Sequence, residues 1–210
     1  ALEGRRWSDF QALDAADREN AVEMDTVVGR QGKDEQCVLT MFVRRIGFQF
    51  YILLPDKTTE SVIHAIDTFQ DIYGTRFGKV FSLVVCDRGS EFADAERIEH
   101  GKNGKRRLRL YYTDPQRSQQ KPRAERRHAE LRRILPKGKI DFDRLTGRDM
   151  AACMSHVNSY MVGSMGWASP MNLAMALFPK GLLCAYGVER IDPKEVNLTP
   201  SLVPHAIVKM

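Results

Sequence analysis

The chain has 210 residues, of which 43% are hydrophobic and 28% charged, and its formal net charge is +5. This length suits one well-packed domain with appendages. No apolar run reaches the length of a membrane span and no apolar signal segment opens the chain, so we expect no membrane partner. The four cysteines are widely spaced in apolar contexts without a Cys-x-x-Cys pair, which indicates reduced, buried thiols in a cytosolic protein.

Positive charge is concentrated in one part of the chain. Residues 100–140 contain 14 lysine and arginine residues against three acidic residues, a local net charge of +11, whereas the remainder has 18 basic and 24 acidic residues. A basic segment within an otherwise acidic protein indicates a surface for a polyanion, and first of all for nucleic acid. A solvated basic loop and helix is the alternative that this pattern leaves open.

The predicted elements begin with a polar N-terminal arm or linker over residues 1–20. The chain starts with Ala1 rather than Met, which indicates a fragment or a processed protein. Three apolar strands follow at 21–28, 37–43 and 48–54, and their short connections predict an antiparallel meander.

Helices and strands alternate in the rest of the predicted domain. Apolar spacing predicts a helix at 59–73, a strand at 80–86, a helix at 92–100, a strand at 108–112, and helices at 123–135, 146–161 and 171–178. An extended tail rich in proline completes the chain. This order is expected of an α/β ribonuclease H-like fold, a five-stranded mixed sheet flanked by helices. We predict its core at 21–165 and a C-terminal helix and tail at 166–210.

Three carboxylates lie in elements that this fold is expected to bring together. Asp25 lies in the first strand, Asp87 ends the fourth strand, and Glu125 lies in the first turn of the helix after the fifth strand. Three carboxylates in one cleft repel one another, and divalent cations relieve that repulsion. We therefore predict that all three are catalytic and bind Mg²⁺ or Mn²⁺, because a pair of such ions can serve phosphodiester displacement. A turn or helix-cap role is the alternative for the two aspartates.

The basic loop and helix around Glu125 are predicted to hold DNA phosphates next to the metals. Such contacts set position and affinity with little base specificity. The predicted DNA-binding residues are Lys121, Arg123, Arg126, Arg127, Arg132, Arg133 and Lys137. Glu91 could approach the metals from the loop after Asp87, but we interpret it first as a residue that orders the turn or the helix start. His128 is interpreted either as a structural histidine or as a contact to phosphate or to Glu125.

Three sequence blocks resemble the catalytic blocks of DDE transposases and retroviral-type integrases, and most closely those of the insertion-sequence thirty family of bacterial transposases. They are Glu23-Met-Asp25-Thr-Val-Val-Gly29, Cys86-Asp87-Arg-Gly-Ser-Glu-Phe92, and the segment from Glu125 to Gly138, in which Arg132 and Pro136-Lys137-Gly138 keep the family's spacing. The chain departs from the family pattern at Arg88, Ala124 and Arg126, where the family has Asn. These departures bear on substrate contacts more than on the chemistry.

The resemblance implies a triad of Asp25, Asp87 and Glu125 that cleaves transposon ends and transfers the 3′-OH into target DNA, with two metal ions when DNA is bound. It also implies a bacterial protein of the cytoplasm, associated with the nucleoid. A homodimer or higher synaptic complex is expected, because two DNA ends must meet and because the tail from Asp192 to Val208 shows no core of its own. A ribonuclease H-like structure-specific nuclease and a non-catalytic DNA-binding remnant of a transposase are the alternatives.

Overall fold

The computed structural model describes residues 2–115, 122–163, 166, 168–178 and 180–208, with the backbone alone for 122–127 and 180. Five strands form one sheet in the order β3-β2-β1-β4-β5. The strands are β1 (Val22–Val28), β2 (Cys37–Val43), β3 (Phe48–Leu54), β4 (Leu83–Cys86) and β5 (Arg109–Tyr112). The α-helices are α1 (Trp7–Gln11), α2 (Ala15–Glu19), α3 (Thr59–Tyr73), α4 (Phe77–Val80), α5 (Ala95–Glu99), α6 (Pro122–Ile134), α7 (Gly147–Ser159), α8 (Pro170–Leu177) and α9 (Lys180–Ala185). In the described part of the chain, no helix is long and apolar enough to cross a lipid bilayer.

The first three strands form the predicted antiparallel meander. β1 pairs with β2 over its whole length, from Val22 opposite Val43 to Val28 opposite Cys37, and β2 pairs with β3 in the same way. Every residue of β2 is buried. A strand that has neighbours on both sides and is covered on both faces is expected to be mostly apolar, and six of the seven residues of β2 are apolar, with Thr40 as the exception.

The other two strands add to the meander in parallel. β1 pairs with β4, and β4 pairs with β5, both in the parallel sense. Parallel neighbours need a long crossover, which α3 supplies before β4 and α5 supplies before β5. The predicted five-stranded mixed sheet is therefore confirmed, with β1 and β4 side by side.

The helix α3 covers one face of the sheet. It begins after Thr58, whose hydroxyl accepts a hydrogen bond from the Ser61 N–H, and it ends at Gly74, which has a positive φ of 56°. Its buried side carries Phe69, which packs edge-on against Phe50 of β3 with ring centroids 4.9 Å apart. The predicted helix at 59–73 is confirmed.

The helix α7 closes the exposed edge of the sheet at β3. The buried side chain of Asn158 accepts a hydrogen bond from the Gln49 N–H and donates one to the Gln49 carbonyl, each at 2.8 Å. β3 is an edge strand, and an edge strand presents backbone groups that need partners. The Asn158 amide thus binds both backbone groups of Gln49, which a sixth strand would otherwise pair with.

The N-terminal residues, predicted as an arm or linker, form the helices α1 and α2 in the structure. Phe10 of α1 is 1% exposed and packs on Tyr111 of β5 with ring centroids 5.5 Å apart. The guanidinium of Arg44 lies over the same ring at 5.1 Å. The sequence shows few apolar residues here, yet one phenylalanine is enough to attach the segment to the sheet.

The C-terminal tail also differs from its prediction. Leu198, Val203 and Ala206 are buried in the main core, and Ile207 forms an isolated bridge with Ile140. The tail therefore packs on the core of its own chain, so its lack of an independent core gives no ground for a partner subunit. Cys184 of α9 is exposed, which corrects the expectation that all four thiols are buried.

Asn158→Ala tests the closure of the β3 edge. The change leaves the N–H and the carbonyl of Gln49 without their partner, and we expect the free energy of unfolding to fall by about 2–4 kcal/mol. Asn172→Ala, on the exposed side of α8, is the matched control and should change stability by less than about 0.5 kcal/mol. Urea denaturation measures both. Equal stabilities of the two variants would contradict this account of the edge.

Candidate active site

Asp25 and Asp87 belong to neighbouring parallel segments of the sheet. Val22 of β1 pairs with Val84 of β4, and Glu23 pairs with Val85. Asp87 directly follows β4, and this register continued by two residues would set it level with Asp25. Both aspartates are half-buried. The pairing therefore places both predicted site residues on the carboxyl-terminal side of the Glu23–Val85 pair.

Each aspartate is oriented by a local backbone bond. Oδ1 of Asp25 accepts a hydrogen bond from the Thr26 N–H at 2.8 Å, and Oδ1 of Asp87 accepts one from the Gly89 N–H at 3.0 Å. Hydrogen bonds of this kind fix the direction of a carboxylate. Both carboxylates are thus oriented by their own local backbone.

The helix α6 is attached to β2 beside Asp25. Thr40 is the residue of β2 directly opposite Asp25, and its hydroxyl donates to the Asp25 carbonyl at 3.2 Å. The same hydroxyl oxygen lies 2.8 Å from Nε2 of His128 in α6. With the Thr40 proton directed at the carbonyl, Nε2 of His128 is the donor in the shorter bond. This half-buried histidine therefore connects α6 to β2, a contact that supports the structural one of its two predicted interpretations.

Glu125 lies in α6 three residues before His128, one helical turn away. The structure describes its backbone but not its side chain. The turn of α6 that carries Glu125 therefore adjoins the turn that is attached to Thr40.

A second attachment of α6 comes from Arg132. Its Nη2 donates to the Val28 carbonyl at the end of β1 (3.1 Å), and its Nη1 donates to the Leu135 carbonyl (3.4 Å). Burial lowers the pKa of this guanidinium. These contacts favour a structural role for Arg132 over the predicted contact to DNA.

The other predicted DNA-binding residues divide into two groups. Arg133 and Lys137 are exposed at the C-terminal end of α6 and just beyond it. Lys121 lies outside the described residues, and so do the side chains of Arg123, Arg126 and Arg127.

Glu91 is the residue that the sequence interpretation underestimated. Its side chain is 1% exposed, and its Oε1 accepts a 2.5 Å hydrogen bond from the Thr26 hydroxyl. The ammonium of Lys57 lies 3.2 Å from the same oxygen. In the sequence, Glu91 belongs to the same block as Asp87, and Thr26 directly follows Asp25. Only the fold shows that the side chains of Glu91 and Thr26 are in contact.

Comparison with known proteins identifies the fold. No protein-family model and no curated protein matches the chain. Among solved structures, the HTLV-2 integrase catalytic core domain in complex with magnesium, in a trimeric form, has a TM-score of 0.52 at 13% identity, over 73% of this chain and 95% of that one. The simian T-cell lymphotropic virus intasome in complex with the PP2A regulatory subunit B56 gamma has a TM-score of 0.56 at 12% identity, over 77% of this chain and 55% of that one. The catalytic core domain of BIV integrase has a TM-score of 0.48 at 19% identity, over 75% of this chain and 95% of that one.

The chain has a ribonuclease H-like fold. The order of its five strands and the helices on both faces match the integrase catalytic cores, as the sequence predicted. At identities below 20%, the likeness establishes the fold and nothing finer.

Within this ribonuclease H-like fold, a second group of carboxylates lies beyond the end of β1 and has a structural explanation. Ligand atoms of Asp34, Asp141 and Asp143 lie within 4.8 Å of one another. Arg30 bridges the first two, with its Nη2 2.5 Å from Asp34 Oδ1 and 2.7 Å from Asp141 Oδ1. Asp143 accepts bonds from the backbone N–H groups of residues 35 and 36. Since these carboxylates already bind an arginine and backbone donors, we assign the cluster to loop structure.

Packing around Asp34 also explains the glycine that ends the first sequence block. A Cβ atom at Gly29 would clash with Asp34 and lie 2.6 Å from Cδ1 of Phe142. Burial acts to raise the pKa of Asp34, but hydrogen bonds from the Arg30 side chain and from the N–H groups of Arg30 and Phe142 outweigh it, and the pKa is lowered. Asp34 is therefore ionised in the folded protein at neutral pH.

Asp34→Asn should destabilise the protein in a pH-dependent manner. Because its pKa is lower in the folded chain, ionised Asp34 stabilises the fold fully above about pH 4, the ordinary pKa of an aspartate, and less as the pH falls below it. We expect a loss of about 1–3 kcal/mol at pH 7 that shrinks below pH 4. Urea denaturation over a pH series measures it. The control is Asp71→Asn, whose exposed ion pair with Lys102 should contribute under about 1 kcal/mol. A loss for Asp34→Asn that does not depend on pH would contradict the assignment.

Proposed function

We propose that this chain is the catalytic core of a DDE transposase of the insertion-sequence thirty family, which cuts DNA and joins the resulting 3′-OH to target DNA in transposition. The observation that carries the proposal is the parallel pairing of β1 with β4, whose register continued by two residues would set Asp25 level with Asp87. The helix that contains Glu125 contacts Thr40, the residue paired with Asp25. The ribonuclease H-like fold shared with integrase catalytic cores supports a polynucleotidyl transferase. The protein would act on DNA in the bacterial cytoplasm, at the nucleoid.

The donor set suits Mg²⁺ or Mn²⁺. Both ions prefer oxygen ligands, and Asp25 and Asp87 offer half-buried carboxylates that backbone N–H groups already orient. We propose that Asp25, Asp87 and Glu125 hold the metal, with two ions when DNA is bound. Bound there, such ions would activate the attacking oxygen and stabilise the leaving oxygen. The magnesium complex of the HTLV-2 core is consistent with this choice of metal.

The reaction proposed is an in-line displacement at a DNA phosphate. A 3′-OH oxygen forms the new P–O bond while the P–O bond to the departing strand breaks, and no bond to the protein forms. The role of α6 is positional, because its attachments through His128 and Arg132 hold the Glu125 turn beside β1. Exposed basic residues of α6 and the following turn, among them Arg133 and Lys137, would hold the phosphates.

We also propose that the active form is a homodimer or a larger synaptic complex. The argument is that two transposon ends must be joined to one target. The trimeric form of the HTLV-2 core and the intasome of the simian virus are assemblies of proteins with this fold.

Asp87→Asn tests the catalytic assignment. The full-length protein is incubated with Mn²⁺ and a duplex that carries the genomic sequence flanking its gene, and strand-transfer products are separated on a gel. We expect joined products from the wild type and a loss of about 10²–10³-fold or more for Asp87→Asn. Asp71→Asn removes an exposed carboxylate elsewhere and should retain activity. Unchanged joining by Asp87→Asn would refute the assignment.

The same gel distinguishes the alternatives. Cut strands without joined products would indicate a nuclease, and DNA binding without either product would indicate a non-catalytic remnant.

Arg133→Gln with Lys137→Gln tests the phosphate contacts. Each phosphate contact contributes about 0.9 to the slope of log K against log salt, so the double variant should reduce the magnitude of the slope by about 2. The loss of affinity should be equal on two unrelated duplexes. Lys194→Gln, an exposed lysine of the C-terminal tail, is the control. Fluorescence anisotropy at several salt concentrations gives the slopes, and an unchanged slope for the double variant would exclude these two contacts.

A further inference from the structure

The carboxylate of Glu91 is buried between the two segments that carry the aspartates. On one side it accepts the hydrogen bond from the Thr26 hydroxyl, and Thr26 directly follows Asp25. On the other side it packs against Gly89, whose N–H holds Asp87. Glu91 therefore contacts Thr26, the residue after Asp25, and Gly89, the residue whose N–H binds Asp87.

The fit between Glu91 and Gly89 is close. A Cβ atom at position 89 would clash with Oε2 of Glu91 and lie 2.7 Å from its Cδ. Gly89 has an ordinary φ of −60°, so its lack of a side chain serves space and not backbone conformation. The turn after Asp87 is thus shaped around the Glu91 carboxylate.

A third segment closes this arrangement. Lys57, in the connection between β3 and α3, pairs with Oε1 of Glu91 at 3.2 Å. The Thr59 hydroxyl, from the start of α3, donates to the Ser90 carbonyl at 2.9 Å. The turn that carries Glu91 is therefore held by β1 and by the β3–α3 connection together.

The burial of Glu91 has an energetic cost that the fold alone does not explain. An ionised carboxylate is expensive to remove from water unless it is paired and hydrogen-bonded. Oε1 has two partners, but Oε2 has none among the described residues. The contacts that Glu91 does make join β1 to the turn after Asp87, and this connection is what its burial secures.

We propose that Glu91 is a positioning residue for the metal site: through Thr26 and Gly89 it fixes the Asp87 turn against β1, so that Asp25 and Asp87 share one ion. This inference rests on the proposed function. Glu91 acts through its neighbours and does not itself bind the ion, since Oε1 is engaged by Thr26 and Lys57 and the side chain is buried. Partners that orient metal ligands are often worth 10–100-fold in metal affinity.

The test measures Mn²⁺ affinity of the full-length protein by titration calorimetry. Glu91→Ala and Thr26→Val each remove one side of the hydrogen bond and should weaken binding by about 10–100-fold. Thr26→Ser keeps the hydroxyl, and Glu91→Gln keeps an acceptor oxygen, so both should stay within about threefold of the wild type. Preserved affinity in Glu91→Gln would also show that geometry, and not the charge of Glu91, is what matters.

A double-mutant cycle isolates the bond between the two side chains. If Thr26 and Glu91 act together, the variant with both Thr26→Val and Glu91→Ala should bind Mn²⁺ no more weakly than the weaker single variant. The matched exposed pair, Thr68→Val and Glu96→Ala, should leave the affinity unchanged. Thermal unfolding without metal identifies the variants that are folded. If Glu91→Ala does not fold, the comparison of Thr26→Val with Thr26→Ser alone tests the proposal.

Failure of this inference can be distinguished from failure of the proposed function. Asp87→Asn should abolish Mn²⁺ binding. If it does so while Thr26→Val and Glu91→Ala bind like the wild type, the positioning role is overturned and the metal site stands. If the wild type does not bind Mn²⁺, or if Asp87→Asn binds it equally well, both proposals fail.

Discussion

The parallel pairing of β1 with β4 is the constraint on which the rest of the site depends. Antiparallel pairing would bring the start of one strand to the end of the other and separate the two aspartates. In the parallel register, Glu23 lies opposite Val85, and both aspartates follow two residues later, each on the carboxyl-terminal side of that pair. β4 has only four residues, so its pairing ends before Asp87, and the turn that follows needs support of its own. The Glu91 contacts to Thr26 and Lys57 provide that support.

The helix α6 is held against the sheet by buried apolar residues and by two polar contacts. Leu131, Ile134 and Leu135 are fully buried and hold the C-terminal part of the helix and its end in the core. His128 and Arg132 then attach it to Thr40 of β2 and to the end of β1. Because α6 is fixed at these points, the backbone of the turn with Glu125 has a defined place next to the turn that contacts β2.

Much of this architecture could be predicted from the sequence because its signals are local. β1, β2 and β3 are apolar runs between short turns, and α3 has helical apolar spacing with a threonine cap and a glycine stop. The remaining features depend on contacts between distant parts of the chain. Phe10 attaches α1 to the sheet through its contact with Tyr111, which lies far away in the sequence. Glu91 has the sequence context of a turn residue, and its hydrogen bond with Thr26 becomes evident only in the fold. The burial of Arg132 against Val28 is of the same kind, since only the fold brings the Val28 carbonyl to its guanidinium.

The central claim is that Asp25 and Asp87 form a metal site with Glu125. A crystal structure of the protein soaked in Mn²⁺, with data collected at the manganese absorption edge, tests it most directly. The account predicts an anomalous peak between the carboxylates of Asp25 and Asp87, with Glu125 as a further ligand, at oxygen distances typical of a divalent cation. No peak at this edge of the sheet, or a peak only at the Asp34, Asp141 and Asp143 cluster, would contradict it.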